Sequence, residues 1–275
     1  MRDIVQLKKE FLDGPEFSII VLTSVVNPQI DFSKIPQDER LHQKDLTKMF
    51  IEDTIPGIFN NSIGENFELI IVDNGSCQDH QDVISKITIL KPDTRIVFNN
   101  KNFGVAPGWN TGLKLARGKY ICIISDDYIL KTRNFLRTLQ KPMLDDPNIV
   151  ITGPEGMQLN PAGMGSPLWR LPYIDATSVN CVMFQKKFLK EVDYLDEYYY
   201  PYLCEDSDIG LIARRIGYEV MQVELKNSYH WGCSSVYRYW TSEEIDEIFR
   251  LNRQHLIEKF GEYLNNRTNI DERYK

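Results

Sequence analysis

Five short runs of residues decide what this chain can become: FSIIVL (17–22), FELIIV (67–72), TRIVF (94–98), KYICII (119–124) and NIVIT (148–152). Each is almost wholly apolar and rich in branched side chains. A strand with one solvated face alternates apolar and polar residues, whereas an unbroken apolar run must be covered on both faces. The intervals between runs are long enough to supply the covering helices. The pattern therefore specifies an α/β layer fold with a mostly parallel central sheet flanked by helices.

Between the third and fourth runs, Pro107 stands where a first helical turn tolerates proline and Gly118 where a helix ends, so GWNTGLKLAR reads as a helix. A second helix is expected at 206–215, with Ile209, Ile212, Ala213 and Ile216 at helical spacing and Gly217 at its close. Its first turn carries Glu205, Asp206 and Asp208. At the carboxyl end, Thr241 and Glu244 fit a capping box, and Ile245, Phe249, Leu256 and Phe260 form one apolar stripe. That segment is expected to be an amphipathic helix packed on the main domain.

Composition narrows the function. The 275 residues are 42% hydrophobic and 26% charged, an ordinary balance for a chain long enough to bury a core without disulfides or structural zinc. Five widely spaced cysteines (Cys77, Cys122, Cys181, Cys204, Cys233) include no C-x-x-C pair and read as reduced thiols of a cytoplasmic protein. With 32 Lys and Arg against 39 Asp and Glu, the net charge of −7 removes the cationic footprint of a nucleic-acid binder. No apolar run approaches the roughly 20 residues of a membrane helix. The opening MRDIVQLKKEFLDGPE lacks the apolar core of a signal peptide. A cytoplasmic location follows as the expectation, compatible with peripheral membrane association.

In an open parallel sheet, ligands bind beyond the carboxyl ends of the strands. The residues there are polar: Thr23-Ser24, Asp73-Asn74-Gly75-Ser76, Asn99 to Asn102, and Ser125-Asp126-Asp127. Each has a structural reading, since Asn-Gly marks turns and Ser or Asp caps helices. Four such groups at one sheet edge point further, to a binding site. Adjacent carboxylates after a buried strand are hard oxygen ligands that suit Mg²⁺ or Mn²⁺ bridging to phosphate oxygens. A second acidic group, CEDSD (204–208), supplies the separate carboxylates that a general base needs, although acids at a helix start also simply favour the helix dipole. His230 is one of four histidines.

The run NFGVAPGWNTGLKLARGKYICIISDD (102–127) resembles the Asn-x-Gly loop, helix and Asp-x-Asp strand end of the inverting glycosyltransferase family 2, of GT-A fold. NCVMFQKKFLKEVDYLDEYYYPYLCEDSDIGLIARRIGY (180–218) is similar to the family's acceptor-side segment, and SYHWGCSS to its closing His-x-Gly-x-Ser segment. The resemblance covers about residues 17–235 and is carried by the joint order and spacing of the motifs. It implies that Thr23, Asp73, Asn102 and Asp126 hold the donor, with Asp73 accepting from a uracil-like ring N–H. It further implies that Asp127 and His230 ligate Mn²⁺ or Mg²⁺, that Asp206 is the catalytic base, and that Glu205 contacts acceptor or sugar. Ser125 departs from the pattern at the first place of Asp-x-Asp, which leaves the metal to Asp127, His230 and the diphosphate. The first strand ends LTSVVN rather than Thr-Tyr-Asn, and the Asn27 to Glu39 insertion has no family counterpart.

The expected organisation is an extension (1–16), a GT-A domain (17–240) divided into a nucleotide-binding half (17–127) and an acceptor-side half (128–240), and a helical appendage (241–275). The implied function is transfer of a sugar, with inversion and metal assistance, from a UDP- or dTDP-sugar to a carbohydrate, lipid-linked or protein hydroxyl. A non-catalytic nucleotide-sugar-binding or partner-binding protein on the same fold is the alternative, permitted by Ser125 and opposed by Asp127, Asp206 and His230. A sugar nucleotidyltransferase would need a Gly-rich basic loop after the first strand, and a dinucleotide dehydrogenase Gly-x-Gly-x-x-Gly; TSVVNPQ has neither. Gly153 to Pro172 holds four glycines and four prolines and is expected to be an irregular, functional loop, whose Trp169 could stack on a sugar.

Overall fold

The computed structural model describes residues 14–25, 46–90, 93–167, 172–232 and 240–266. The Asn27 to Glu39 insertion, Trp169 and Cys233 lie outside the described residues. The strands are β1 (Phe17–Thr23), β2 (Phe67–Asn74), β3 (Thr94–Asn99), β4 (Tyr120–Ser125), β5 (Tyr128–Ile129), β6 (Ile149–Gly153), β7 (Gly156–Leu159), β8 (Gly165–Pro167), β9 (Tyr173–Ile174), β10 (Ala176–Thr177), β11 (Cys181–Gln185), β12 (Glu219–Gln222) and β13 (Tyr229–His230). The helices are α1 (Leu46–Met49), running through a π-helical turn into α2 (Ile55–Asn61), then α3 (Gln78–Ser85), α4 (Ile87–Leu90), α5 (Val105–Leu115), α6 (Phe135–Asp145), α7 (Lys186–Glu191), α8 (Glu205–Arg215) and α9 (Ser242–Asn266).

The central sheet has the order β3-β2-β1-β4-β11-β6-β12-β9. The β3, β2, β1 and β4 half is parallel, as the unbroken apolar runs require, and β12 is parallel to β6. The strand β11 enters antiparallel between β4 and β6, and β9 closes the edge antiparallel to β12. Alternate side chains divide the core in two. On one face Ile19, Val21, Leu69 and Ile71 pack with Phe50, Ile58, Phe135 and Leu139 of the helices. On the other, Ile20, Ile70 and Val72 meet Trp109 and Leu113 of α5, Phe188 of α7 and Ile209 of α8. Full burial of such a side chain contributes about 1.5–3 kcal/mol, so the double layer outweighs any single polar feature of the sheet.

At the amino ends of β1 and β2, opposite the acid-bearing edge, buried Glu68 accepts from Ser18 Oγ (2.6 Å), Arg117 N (2.6 Å), Arg117 Nε (2.8 Å) and Arg95 Nη2 (2.7 Å). Burial alone would raise this carboxyl's pKa; the hydrogen bonds and the Arg95 charge outweigh it and hold the pKa below the usual range.

Gly153 to Pro172 is not wholly irregular, contrary to the composition-based expectation: β7 and β8 pair antiparallel within it, and β10 adds to β7. The side chain of Asn160 organises the turn, its Oδ1 accepting from Ala162 N (2.9 Å) and Met164 N (3.0 Å), while Gly163 adopts a φ of 68°. At the carboxyl end the capping box forms as expected: Thr241 N donates to Glu244 Oε2 at 2.7 Å, and Glu244 N to Thr241 Oγ1 at 3.3 Å. The helix α9 then buries Leu256, Phe260 and Leu264 against Tyr199 and Leu211. Its Lys259 bridges Asp208 of α8 (2.7 Å) and Asp196 (2.9 Å).

Candidate active site

The carboxyl ends of β1, β2 and β4 open into a cavity of about 300 Å³. Thr23, Asn102, Asp126, Asp127, Glu205, Asp206 and His230 all line it, so residues up to 207 positions apart in sequence meet where sheet topology places a ligand. Asp73 does not line it. Its fully buried carboxylate accepts from Gln81 Nε2 at 2.7 Å and from Ser76 N at 3.3 Å, behind the cavity wall. Burial pushes its pKa up, against those hydrogen bonds.

The wall beneath the donor end is a network of short polar side chains. Asn102 Oδ1 accepts from Asn74 Nδ2 (3.0 Å) and from Gly104 N (2.8 Å), while Asn74 Oδ1 accepts from Asn99 Nδ2 (3.1 Å) and Phe103 N (3.2 Å). Asn102 Nδ2 also reaches Ser24 Oγ at 3.3 Å. The Asn-x-Gly motif thus ties the ends of β1 and β2 to the start of α5. Gly104 has a φ of 92°, and a Cβ there would lie 2.9 Å from Pro201 O and from the Tyr200 ring. Only glycine lets the loop pack against the 200–204 segment, where Val105 N donates to Pro201 O at 2.7 Å. Thr23 Oγ1 is hydrogen-bonded at 3.0 Å to His80 Nε2, whose other ring nitrogen meets Thr47 Oγ1 at 2.9 Å.

The strand pair β5–β13 brings His230 opposite Asp127. His230 Nε2 lies 2.9 Å from Asp127 Oδ1, and His230 Nδ1 lies 3.1 Å from Asn180 Nδ2. Asn180 Oδ1 in turn accepts from Ser125 Oγ at 3.3 Å. Burial would lower the His230 pKa, but the Asp127 charge and hydrogen bond, with Glu155 and Asp126 behind them, outweigh it and raise it. A hard carboxylate oxygen and an imidazole nitrogen converging on one point fit a cation of the Mn²⁺ or Mg²⁺ type that takes its remaining ligands from phosphate and water. Among the described residues no group of three or more His, Cys, Asp or Glu side chains gathers for a metal, so the protein alone offers these two.

In the same cavity α8 begins with Glu205 and Asp206. The chain reaches it through Leu203 and Cys204, both with a φ of 76°, a left-handed conformation that costs a non-glycine residue about 1–2 kcal/mol each. Such a turn persists only when its surroundings hold it. Asn252 of α9, itself buried, donates from Nδ2 to Tyr202 O (2.8 Å) and Leu203 O (3.2 Å). Asp206 Oδ1 accepts from Ser207 N at 2.6 Å and Ser207 Oγ at 3.2 Å. Burial pushes both carboxyls up; Glu205, with the Asp206 charge adding to it, reaches about 8, and Asp206 is raised further by the Glu155 charge against its Ser207 bonds. Among the described residues, Glu205 Oε2 and Trp109 Nε1, both in the cavity lining, have no hydrogen-bond partner. An acceptor and a donor left open in one cleft are suited to a polar ligand.

Sequence reasoning missed Trp109, Asn180 and Asn252. The first two stand inside the motif-bearing segments, so position could have flagged them; Asn252 has no local signal, because its role appears only when α9 folds back.

The chain resembles an uncharacterised glycosyltransferase of Rickettsia felis, 36% identical over 102 residues, which span 36% of this chain and 16% of that protein. It is also 36% identical over 88 residues to the UDP-Glc:alpha-D-GlcNAc-diphosphoundecaprenol beta-1,3-glucosyltransferase WfaP of Escherichia coli, spanning 30% of this chain and 34% of that one. The chain thus matches well under half the length of either relative. Its fold is that of the mannosyltransferase PcManGT from Pyrobaculum calidifontis, solved with GDP-Man and Mn²⁺ (TM-score 0.61, 15% identity, 93% of this chain, 66% of that one). The family profile itself, glycosyl transferase family 2, runs over residues 48–185, from the helix before β2 to the end of β11 and through Asp126 and Asp127. Matched over just over half its length, the chain belongs to that family.

Proposed function

We propose that the chain transfers a sugar, with inversion, from a UDP-sugar to an acceptor hydroxyl. The observation that carries this reading is the meeting of two acidic groups in one cavity: Asp126 and Asp127 with His230, and Glu205 with Asp206. In this reading the nucleotide lies over the 17–127 half and the acceptor against the 128–240 half, with α9 bracing the latter. Thr23, Asn102 and Asp126 contact the donor. Asp73, whose buried carboxylate does not line the cavity, shapes the donor end only through its bonds to Ser76 and Gln81. Asp127 and His230 would hold a divalent cation, which would supply charge neutralisation for the departing diphosphate. Asp206 takes the proton of the attacking hydroxyl, so attack and departure occur in one displacement. Burial raises its pKa and so makes it a stronger proton acceptor than an exposed aspartate, while Glu205 and Trp109 orient the sugar.

WfaP uses UDP-Glc and PcManGT was solved with GDP-Man and Mn²⁺, so the base and the metal are the points to test. Calorimetry should show UDP binding more tightly than GDP, and more tightly with Mn²⁺ than with a chelator. Asp127→Asn should abolish the Mn²⁺ enhancement. Equal UDP affinity in chelator would defeat the metal assignment, and a preference for GDP the base assignment.

A further inference from the structure

We propose that Trp109 determines which sugar this cavity accepts, and that with Glu205 it selects a neutral, hydroxyl-bearing sugar over a carboxylate-bearing one. This rests on the transferase reading above, in which the transferred sugar lies in this cavity beside Asp206.

The indole of Trp109, on α5, belongs to the core layer of Ile20, Ile70 and Val72 and is 2% exposed, yet the residue also lines the cavity. Its Nε1 has no hydrogen-bond partner among the described residues. An indole N–H can only donate, and a buried one left unpaired costs stability that a phenylalanine in the same place would not. Glu205, the first residue of α8, is 5% exposed, and its Oε2 is likewise without a partner among the described residues. The start of α5 is tied to the segment that leads into α8: Val105 N donates to Pro201 O at 2.7 Å, and a Cβ on Gly104 would lie 2.9 Å from the Tyr200 ring. An open donor and an open carboxyl oxygen are thus fixed in one cavity by two elements. Neither takes part in the pairing of Asp127 with His230.

Hydrogen-bond chemistry separates the candidate sugars. A hydroxyl both donates and accepts, so the hydroxyls of a neutral sugar satisfy Trp109 and Glu205 alike. A sugar carboxylate only accepts: it can take the indole N–H, but it sets oxygen against oxygen at Glu205. Charge points the same way. The side chains of Asp126, Asp127, Glu205 and Asp206 line the cavity, and among the described residues that line it only His230 can carry positive charge. Burial already raises the pKa of Glu205 and Asp206, and a further carboxylate entering with the sugar meets the same penalty. In the transferase reading a divalent cation is available to the diphosphate, whereas no lysine or arginine among the described lining residues is available to a carboxylate on the sugar ring.

Calorimetry on the full chain with Mn²⁺ tests this, using UDP, UDP-glucose, UDP-galactose, UDP-N-acetylglucosamine and UDP-glucuronate. The last differs from UDP-glucose only in its carboxylate at C6. At least one neutral donor should bind about tenfold or more tighter than UDP-glucuronate. Trp109→Phe keeps an aromatic ring in the core but removes the N–H, and should weaken that donor about tenfold with UDP affinity unchanged. Glu205→Gln removes the carboxylate at nearly constant shape and should narrow the gap between that donor and UDP-glucuronate. UDP-glucuronate binding as tightly as the best neutral donor would overturn the assignment, as would an unchanged gap in Glu205→Gln. So would a Trp109→Phe protein in which donor affinity is unchanged or falls only in step with UDP affinity. Failure of the wild type to bind UDP would defeat the donor reading and this inference together, whereas UDP binding without the preference defeats this inference alone.

Discussion

Asp206→Asn should lower turnover about 10²- to 10⁴-fold while leaving UDP affinity unchanged, because a general base acts on the acceptor proton and the substitution keeps the side chain's size. The structure sharpens this expectation. Asp206 lines the same cavity as Asp127 and His230, and its carboxylate is oriented by Ser207. Burial raises its pKa, as it does that of Glu205 beside it. A base works only when deprotonated, so wild-type turnover should fall as pH drops through a value above that of an ordinary aspartate. The competing account is that Asp206 only favours the amino end of α8, which predicts a loss of about 0.3–1 kcal/mol in stability and near wild-type turnover. Steady-state rates, UDP titrations and melting curves on both proteins separate the two accounts. A variant with intact turnover sinks the base assignment.

Asn252→Leu carries the second large effect, although Asn252 touches neither acid. Its amide holds the carbonyls of Tyr202 and Leu203, immediately before the left-handed pair Leu203 and Cys204 that aims Glu205 and Asp206 into the cavity. Leucine is of similar size and suits a helix but supplies no donor. Released, the turn can relax from its costly conformation, and a base displaced by about 1 Å loses on the order of 10²-fold in rate. The expected signature is a fall in kcat with UDP affinity preserved and an acid limb of the pH profile that moves. A lowered melting temperature with unchanged kcat and pH profile would assign Asn252 to stability alone.

The legible part of this fold was its local part. Unbroken apolar runs announced β1, β2, β3, β4 and β6 to within two residues of their observed ends, because burial on both faces leaves that mark whatever the topology. The helices α5, α8 and α9 followed from spacing and caps. The site was legible wherever its residues follow strand ends or open a helix, and seven of the expected residues line one cavity. Partners set by three-dimensional packing were not legible. The antiparallel insertion of β11, the withdrawal of Asp73 behind Gln81 and the reach of Asn252 across 49 and 50 positions each depend on contacts that no local pattern encodes. The hairpin of β7 and β8 was missed for the opposite reason: glycine and proline content reads as irregularity even where one asparagine side chain organises a turn.

The central claim is a single displacement in this cavity, and the anomeric form of the first released sugar tests it most directly. Incubating the protein and Mn²⁺ with a panel of α-linked UDP-sugars, with water as acceptor and rapid proton NMR as readout, should show the β-anomer first and the equilibrium mixture later. Appearance of the α-anomer first, or no sugar released from any donor of the panel, would contradict the account.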